Sequence, residues 1–308
     1  MTGGGGFLGG RVARRLLEAG HRVRVFQRSA CPELEALGAQ VMQGNLCEAR
    51  QVEDAVDGCE AVVHTAAKAG IWGRDADFQA INVGGTRHVV AACRAAGVRY
   101  LVHTSTPSVV FSGEAFRGAD ESLPYGDTRL SAYARTKAQA EREALAADDP
   151  AGLRVVALRP HLIYGPGDPH LLPRVVERAR AGRLRIVGDG QNKVDITYIE
   201  NAAQAHLDAL AALEAGAAGG KAYFISDGRP VELWPWINGI LERLDIPRIE
   251  RRVPLRAAYA VGAVAETLWR SLPLKGEPPM TRFVATELAK DHWFDISAAR
   301  RDLHYDPS

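Results

Sequence analysis

The chain opens on Gly3-Gly-Gly-Gly-Phe-Leu-Gly9, with Gly3, Gly6 and Gly9 in phase as GxxGxxG. Glycines so placed permit a tight turn, let backbone N–H groups approach a pyrophosphate, and let a helix close on a strand. An apolar-periodic run from Phe7 to Ala19 predicts a helix whose first N–H groups face an anion, and Val23–Phe26 predicts a strand after it. By itself the loop suits no more than a flexible start; followed by that helix and strand it predicts dinucleotide binding. Only Met1 and Thr2 precede Gly3. A buried strand of about five or six residues is expected there, so the first strand is expected to be missing in part, with Met1 inside it.

The same alternation continues. Gln40–Met42, Ala61–His64, Tyr100–His103 and Arg154–Leu158 read as strands, and Ala49–Val56, Phe78–Ala96 and Leu130–Ala147 as helices. Strands alternating with amphipathic helices predict an α/β fold of Rossmann type, a doubly wound parallel sheet. The second half predicts helices near Leu171–Ala181, Ala202–Leu213, Val231–Leu244 and Leu255–Leu272, with only short strands near Leu184–Val187 and Ala222–Ile225 and no closing helix at Asp306–Ser308. We therefore expect a nucleotide-binding domain over residues 1–159 and a smaller mixed lobe over 160–308, mainly for substrate, with a return to the sheet near 194–213.

Composition removes several function classes. Thirty-eight Lys+Arg against 37 Asp+Glu leave a net charge of +1, which gives no support to binding nucleic acid through its phosphates. Cys31, Cys47, Cys59 and Cys93 show neither zinc nor disulfide spacing, and no signal-peptide pattern opens the sequence, so a reducing cytoplasmic compartment is expected. His64 and His103 read as packed strand residues, and His170 and His292 lack companions at metal spacing, so no metal is expected. No GxSxG elbow supports hydrolase chemistry. Leu255–Leu274 is apolar but carries Arg256, Glu266 and Arg270, too charged to span a bilayer and compatible with lying on one.

Three groups point to chemistry. Tyr133 and Lys137 are spaced i, i+4, which puts phenol and ammonium on one helix face, where the cation is expected to lower the phenol's pKa for proton transfer. Thr104-Ser-Thr-Pro-Ser108 ends a strand at the sheet edge where α/β sites lie; Thr106 is the first choice to hold a substrate carbonyl, Ser105 and Ser108 are the others, and all three also suit a capped turn. After the strand at Val23–Phe26 comes Gln27-Arg28, with no acid for a ribose 2′-hydroxyl. Arg28 instead suits a 2′-phosphate, which favours NADP(H) over NAD(H).

With these motifs the sequence resembles the extended short-chain dehydrogenase/reductases, the group that includes 3β-hydroxysteroid dehydrogenases and nucleotide-sugar epimerases. His64-Thr-Ala-Ala67, Asn82-Val-Gly-Gly-Thr86, Leu158-Arg-Pro160 and Tyr164-Gly-Pro-Gly-Asp168 extend the match over nearly the whole chain. Ala66-Ala-Lys-Ala-Gly-Ile-Trp-Gly73, Gly188-Asp-Gly-Gln-Asn192, Asp195–Asn201 and Thr281-Arg-Phe283 resemble most the branch that reduces 2-alkyl-3-oxoalkanoic acids in bacterial olefin biosynthesis. The resemblance implies Thr106, Tyr133 and Lys137 as the catalytic trio and Asn82 as support for the lysine's proton relay. It implies Gly3, Gly6, Phe7, Leu8, Arg28, Asn45, Leu46, Ala66, Tyr133, Lys137 and Pro160 as cofactor contacts, although Asn45 stands where the group usually has Asp. It also implies a homodimer and assembly with neighbouring pathway enzymes.

The family's reactions differ, and the residues discriminate among them. Pro107 and Ser108 replace the acid–base carboxylates that sugar dehydration needs, and Arg28 argues against a permanently held NAD as in epimerases. Leu233, Trp234, Trp236, Tyr259, Val261, Val264, Leu268 and Trp269 suit either core or a cleft for an apolar acyl or sterol-like substrate. Arg159, His161, Arg174 and Lys68 are candidate carboxylate partners. A sterol dehydrogenase, an NAD-dependent sugar epimerase and a non-catalytic NADP-binding protein stay open as alternatives.

Overall fold

The computed structural model describes residues 1–126, 129–169 and 171–308; His170 lies outside the described residues. In the first half the elements are α1 (Phe7–Glu18), β1 (Arg24–Gln27), α2 (Pro32–Ala36), β2 (Gln40–Gln43), α3 (Ala49–Val56), β3 (Ala61–His64), α4 (Asp75–Phe78), α5 (Gly85–Ala95), β4 (Tyr100–Thr104), β5 (Phe116–Ala119), α6 (Ala132–Leu145) and β6 (Arg154–Pro160). In the second they are β7 (Ile163–Tyr164), α7 (Leu171–Arg180), β8 (Ile186–Val187), β9 (Lys193–Val194), β10 (Thr197–Tyr198), α8 (Ile199–Glu214), β11 (Lys221–Ile225), β12 (Val231–Glu232), α9 (Leu233–Arg243), β13 (Arg252–Val253), α10 (Leu255–Ser271), α11 (Arg282–Glu287), β14 (His292–Phe294) and α12 (Ser297–Leu303).

The main sheet is parallel throughout. β2 pairs with β1, β3-β4-β6-β11 form a second run, and Thr2 joins the runs through parallel bridges to Phe26 and His64. Thr2 N donates to Val63 O at 3.0 Å and Phe26 N to Met1 O at 2.7 Å, so the glycine loop leaves from mid-sheet at its C-terminal edge. Successive strand residues point to opposite faces. Val63, Val102 and Val156 meet Val12, Leu16, Ala203 and Leu210 of α1 and α8 on one face. Val62, Leu101 and Val155 meet Val52, Val56, Val89 and Ala144 of α3, α5 and α6 on the other. Such double-sided burial, worth ~1.5–3 kcal/mol per Val or Leu, is why these strands read as near-continuous apolar runs.

A third core, around Val187, Val194, Leu233, Trp234, Ile237 and Leu241, sits in the smaller lobe. Its main sheet runs β12-β9-β14-β5, so Phe116–Ala119 of the first half belongs to it. In the other direction, α8 packs on α1, β4 and β6, β11 closes the edge of the main sheet, and α12 packs on α8 and β11.

The expectation of only two short strands after Pro160 is corrected: these strands are two or three residues long and pair with partners far away in sequence, so no alternation of their own marks them. The expectation of no closing helix is corrected in the same way by α12, which ends at His304 in a left-handed turn. No helix of the described residues is long and apolar enough to cross a membrane.

Candidate active site

The glycine loop is built for close approach. Gly3 has a φ of +72°, and a Cβ on it would come 2.8 Å from Ala66 N, so a side chain is excluded on both conformational and steric grounds. A Cβ on Gly9 would lie 2.1 Å from Gly3 O, so α1 rests directly on the loop. The helix begins at Phe7 with Gly6 as its cap and no side-chain oxygen on its first N–H groups, which leaves them for an anion. Thr65 Oγ1 donates to Thr2 O at 2.8 Å and Ala66 N to Thr2 Oγ1 at 3.2 Å, locking the end of β3 against the loop. This cradle fits a dinucleotide pyrophosphate. Beside it runs a cleft of 380 Å³ lined by Gly4–Gly6, Arg11, Arg14, Gly167 and Tyr198. Arg11 and Arg14, which the sequence reading did not single out, border this cleft and are paired with Glu200 and Glu33.

The other expected cofactor contacts are scattered around this edge. Arg28 is exposed just beyond β1, and Gln27 covers Gly5, whose Cβ would meet Gln27 Oε1 at 2.3 Å. Asn45 Oδ1 accepts from Cys47 N at 3.0 Å in a local turn, and the residue is exposed. Phe7 and Leu8 open α1, and Pro160 ends β6. The Leu46 side chain is buried against Gly85, on which a Cβ would clash with Leu46 Cδ2, and its carbonyl bonds His88 Nδ1 at 2.9 Å.

The catalytic candidates converge at the C-terminal end of β4. Thr106 caps a short 3₁₀ turn over Pro107–Val110, accepting from Ser108 N at 3.3 Å, and it shares a hydrogen bond with Tyr133. Tyr133 stands in the first turn of α6, which starts where Ser131 Oγ accepts from Ala134 N at 3.2 Å. One turn on, Lys137 is buried and its Nζ donates to Thr104 O at 2.6 Å, clamping α6 to the strand end. Ser105 is buried with its hydroxyl unpartnered.

The electrostatic expectation for Tyr133 is corrected. The Tyr133 pKa is raised, by burial first, with the Thr106 hydrogen bond opposing; Lys137 is not among the groups acting on it, because its ammonium turns to the Thr104 carbonyl. Burial in turn pushes Lys137 down to about 8, against the pull of Glu141. Asn82 does not reach Lys137. Its Oδ1 accepts from Lys68 N at 2.7 Å and its Nδ2 donates to Thr136 Oγ1 at 3.0 Å, so it ties the Ala66–Gly70 loop to α6 from a π-helical turn, Gln79–Gly84.

The candidate carboxylate partners are all engaged. Arg159 is buried against Glu141 (Nη2–Oε1 2.6 Å), and His161 Nε2 lies 2.6 Å from His292 Nδ1. Arg174 pairs with Glu277 and Lys68 with Asp77. His64 is packed as expected, bonded to Thr2 and Thr86 and pushed down to about 3 by burial. Of the apolar set, Trp234 is core, while Val261 and Trp269 line a separate cleft of 650 Å³ that none of Thr106, Tyr133 and Lys137 borders.

Residues 1–255 match the model of the 3-beta hydroxysteroid dehydrogenase/isomerase family. The chain belongs to that family. It is an NAD(P)-dependent oxidoreductase of the short-chain dehydrogenase/reductase type. Among curated relatives of this 3-beta hydroxysteroid dehydrogenase/isomerase member, the 2-alkyl-3-oxoalkanoate reductase of Stenotrophomonas maltophilia is 51% identical, covering 100% of this chain and 94% of the relative. The 2-alkyl-3-oxoalkanoate reductase of Shewanella oneidensis is 49% identical over 99% of this chain and 81% of its own. The solved UDP-glucuronic acid 4-epimerase of Bacillus cereus in complex with NAD superposes with a TM-score of 0.76 at 21% identity, covering 100% of this chain and 92% of its own, and shows the shared fold.

Proposed function

We propose that this chain is an NADPH-dependent reductase that converts a 2-alkyl-3-oxoalkanoic acid to the 2-alkyl-3-hydroxyalkanoic acid. The observation that carries the reading is the 51% identity to a reductase of that name over the full chain. The hydrogen-bonded Thr106–Tyr133 pair beside Lys137 supports it. A bound NADPH supplies the hydride. Gly3, Gly6 and the first turn of α1 hold its pyrophosphate, Ala66 and Pro160 flank it, and Arg28 takes the 2′-phosphate. Burial keeps the Tyr133 phenol protonated at neutral pH, so it gives its proton to the substrate oxygen and is left as phenolate, while Thr106 orients the carbonyl and the Lys137 ammonium one turn away offsets the phenolate charge. The smaller lobe is the substrate-binding unit in this reading.

The family's name favours a second reading, a 3β-hydroxysteroid dehydrogenase, and one experiment separates the two. Purified protein is screened with 2-alkyl-3-oxo acids and with sterol ketones, NADPH and NADH in parallel. Oxidation of NADPH by the oxo acids is expected, and turnover of sterols alone overturns the order. Tyr133→Phe is expected to lower kcat by about 10²–10⁴-fold with NADPH affinity intact; unchanged turnover removes Tyr133 from the chemistry.

The remaining proposals are a cytoplasmic location, a homodimer, and contact with pathway enzymes. A peripheral membrane contact is also proposed, through the exposed Val261, Val264 and Leu268 of α10 and the following Leu272, beside Arg256, Arg270 and Lys275. Light scattering and co-sedimentation with anionic vesicles read these out.

A further inference from the structure

Helix α6 carries a third ionisable residue in line with Tyr133 and Lys137. Tyr133, Lys137 and Glu141 follow one another at four-residue spacing, so one face presents phenol, ammonium and carboxylate over two turns. Glu141 is wholly buried, with 0% of its surface exposed, and Arg159, the residue before Pro160 on β6, is buried with it. The contacts are dense. Arg159 Nε lies 3.2 and 3.0 Å from the two carboxylate oxygens, Arg159 Nη2 donates to Oε1 at 2.6 Å, and Tyr125 OH donates to the same oxygen at 2.8 Å. Arg159 is further seated over the Phe224 and Tyr125 rings at 5.1 and 5.8 Å.

A buried ion pair is weak evidence for stability alone, because desolvation offsets much of its attraction. Its position beside Lys137 gives it a second use. Lys137 is a buried cation whose one hydrogen bond goes to the neutral Thr104 carbonyl. Among the described residues, the groups electrostatically coupled to it are Glu141 on α6, His64 on β3 and His103 on β4; both histidines are buried and held neutral, which leaves Glu141 as the anion of the set.

We propose that Glu141 is a positioning residue for the reductase: fixed from behind by Arg159 and Tyr125, its carboxylate keeps the Lys137 ammonium charged and aimed at the end of β4. The inference rests on the proposed roles of Tyr133 and Lys137. With Glu141 in place Lys137 is pushed down from its ordinary 10.5 to about 8; without that carboxylate the opposing pull is gone and burial lowers it further.

The test is Glu141→Gln, compared with Glu141→Asp and with the double variant Glu141→Gln/Arg159→Met, which leaves no orphaned guanidinium. In the wild type, kcat in the reductive direction is expected to fall as pH rises through about 8. In Glu141→Gln and in the double variant the fall moves to lower pH by about one unit, and Glu141→Asp restores it. A cofactor-free readout runs beside it. Between about 8 and 10.5 the unfolded chain binds more protons at Lys137 than the folded one, so thermal stability gains with pH there. That gain is expected to begin at lower pH in Glu141→Gln, and the difference vanishes in a Lys137→Met background.

An unmoved activity limb and an unmoved stability onset overturn the proposal. So does failure of both Gln variants to fold, which makes the carboxylate a packing element. If Lys137→Met keeps full turnover, the catalytic reading of Lys137 fails instead, while the stability profiles still report the Glu141–Lys137 coupling.

Discussion

At the scale of single residues, the site depends on what cannot be added as much as on what is present. Gly9 is the sharpest case, since a methyl group there would sit 2.1 Å from Gly3 O and 2.7 Å from Thr65 Oγ1. Neither neighbour can give easily: one is backbone, and the other bonds Thr2 O. Gly9→Ala is therefore expected to cost about 1–3 kcal/mol of stability and to weaken binding of the nicotinamide dinucleotide at least about tenfold, because the loop must shift away from its helix. Differential scanning calorimetry and a fluorescence titration check the two parts, and wild-type values in both would show that the loop relaxes freely. The Tyr133 phenol illustrates the opposite limit of residue-level reasoning. Its spacing from Lys137 was legible, yet the sign of its pKa shift was not, because that sign depends on burial and on where Nζ points.

Among the elements, the short segments that join the lobe to the sheet carry the most unusual charge. Asp195, between β9 and β10, is buried and accepts from Phe294 N at 2.8 Å. Burial pushes its pKa up from 3.8 to about 6. The folded form then holds a proton that the unfolded chain has released, so stability falls as pH rises from about 4 to about 6. Asp195→Asn is expected to remove that fall, worth on the order of 3 kcal/mol, from a plot of melting temperature against pH. An unchanged slope would place the titration elsewhere.

Elements like this one mark where sequence reading stops. Ala49–Val56 was legible to the residue because apolar period and helix agree. Phe78–Ala96 read as one helix, whereas the chain makes a short helix, a π-helical turn at Gln79–Gly84 and then α5. Apolar periodicity is nearly the same for both, and the wider turn shows only through the bonds Asn82 makes to Lys68 and Thr136. Likewise Tyr133, Lys137 and Thr106 carried their own local patterns, whereas the Glu141–Arg159 pairing joins a helix to a strand 18 residues on and has no local signature.

For the molecule as a whole, two layers of helices about a parallel sheet bring the cofactor cradle and the Thr106–Tyr133 pair to the same edge, and the smaller lobe lies against that edge. Among the described residues only two cations are buried, Lys137 and Arg159, and each charge is engaged, one at the Thr104 carbonyl and the other at Glu141 through Nε and Nη2, with the Arg159 Nη1 left without a partner. Under the proposed function, an oxo acid entering this edge thus meets no unpaired interior cation to neutralise its acid end, only the spare N–H of an arginine already paired with Glu141. The carboxylate must keep its hydration and face outward, leaving the ketone and alkyl arms to go in first. Methyl esters of the same oxo acids are accordingly expected to be reduced with a kcat/KM within about tenfold of the free acids, since a rim-exposed charge contributes at most about 1 kcal/mol. A far larger loss in steady-state assays would mean that one of the paired cations lets go of its partner to greet the substrate.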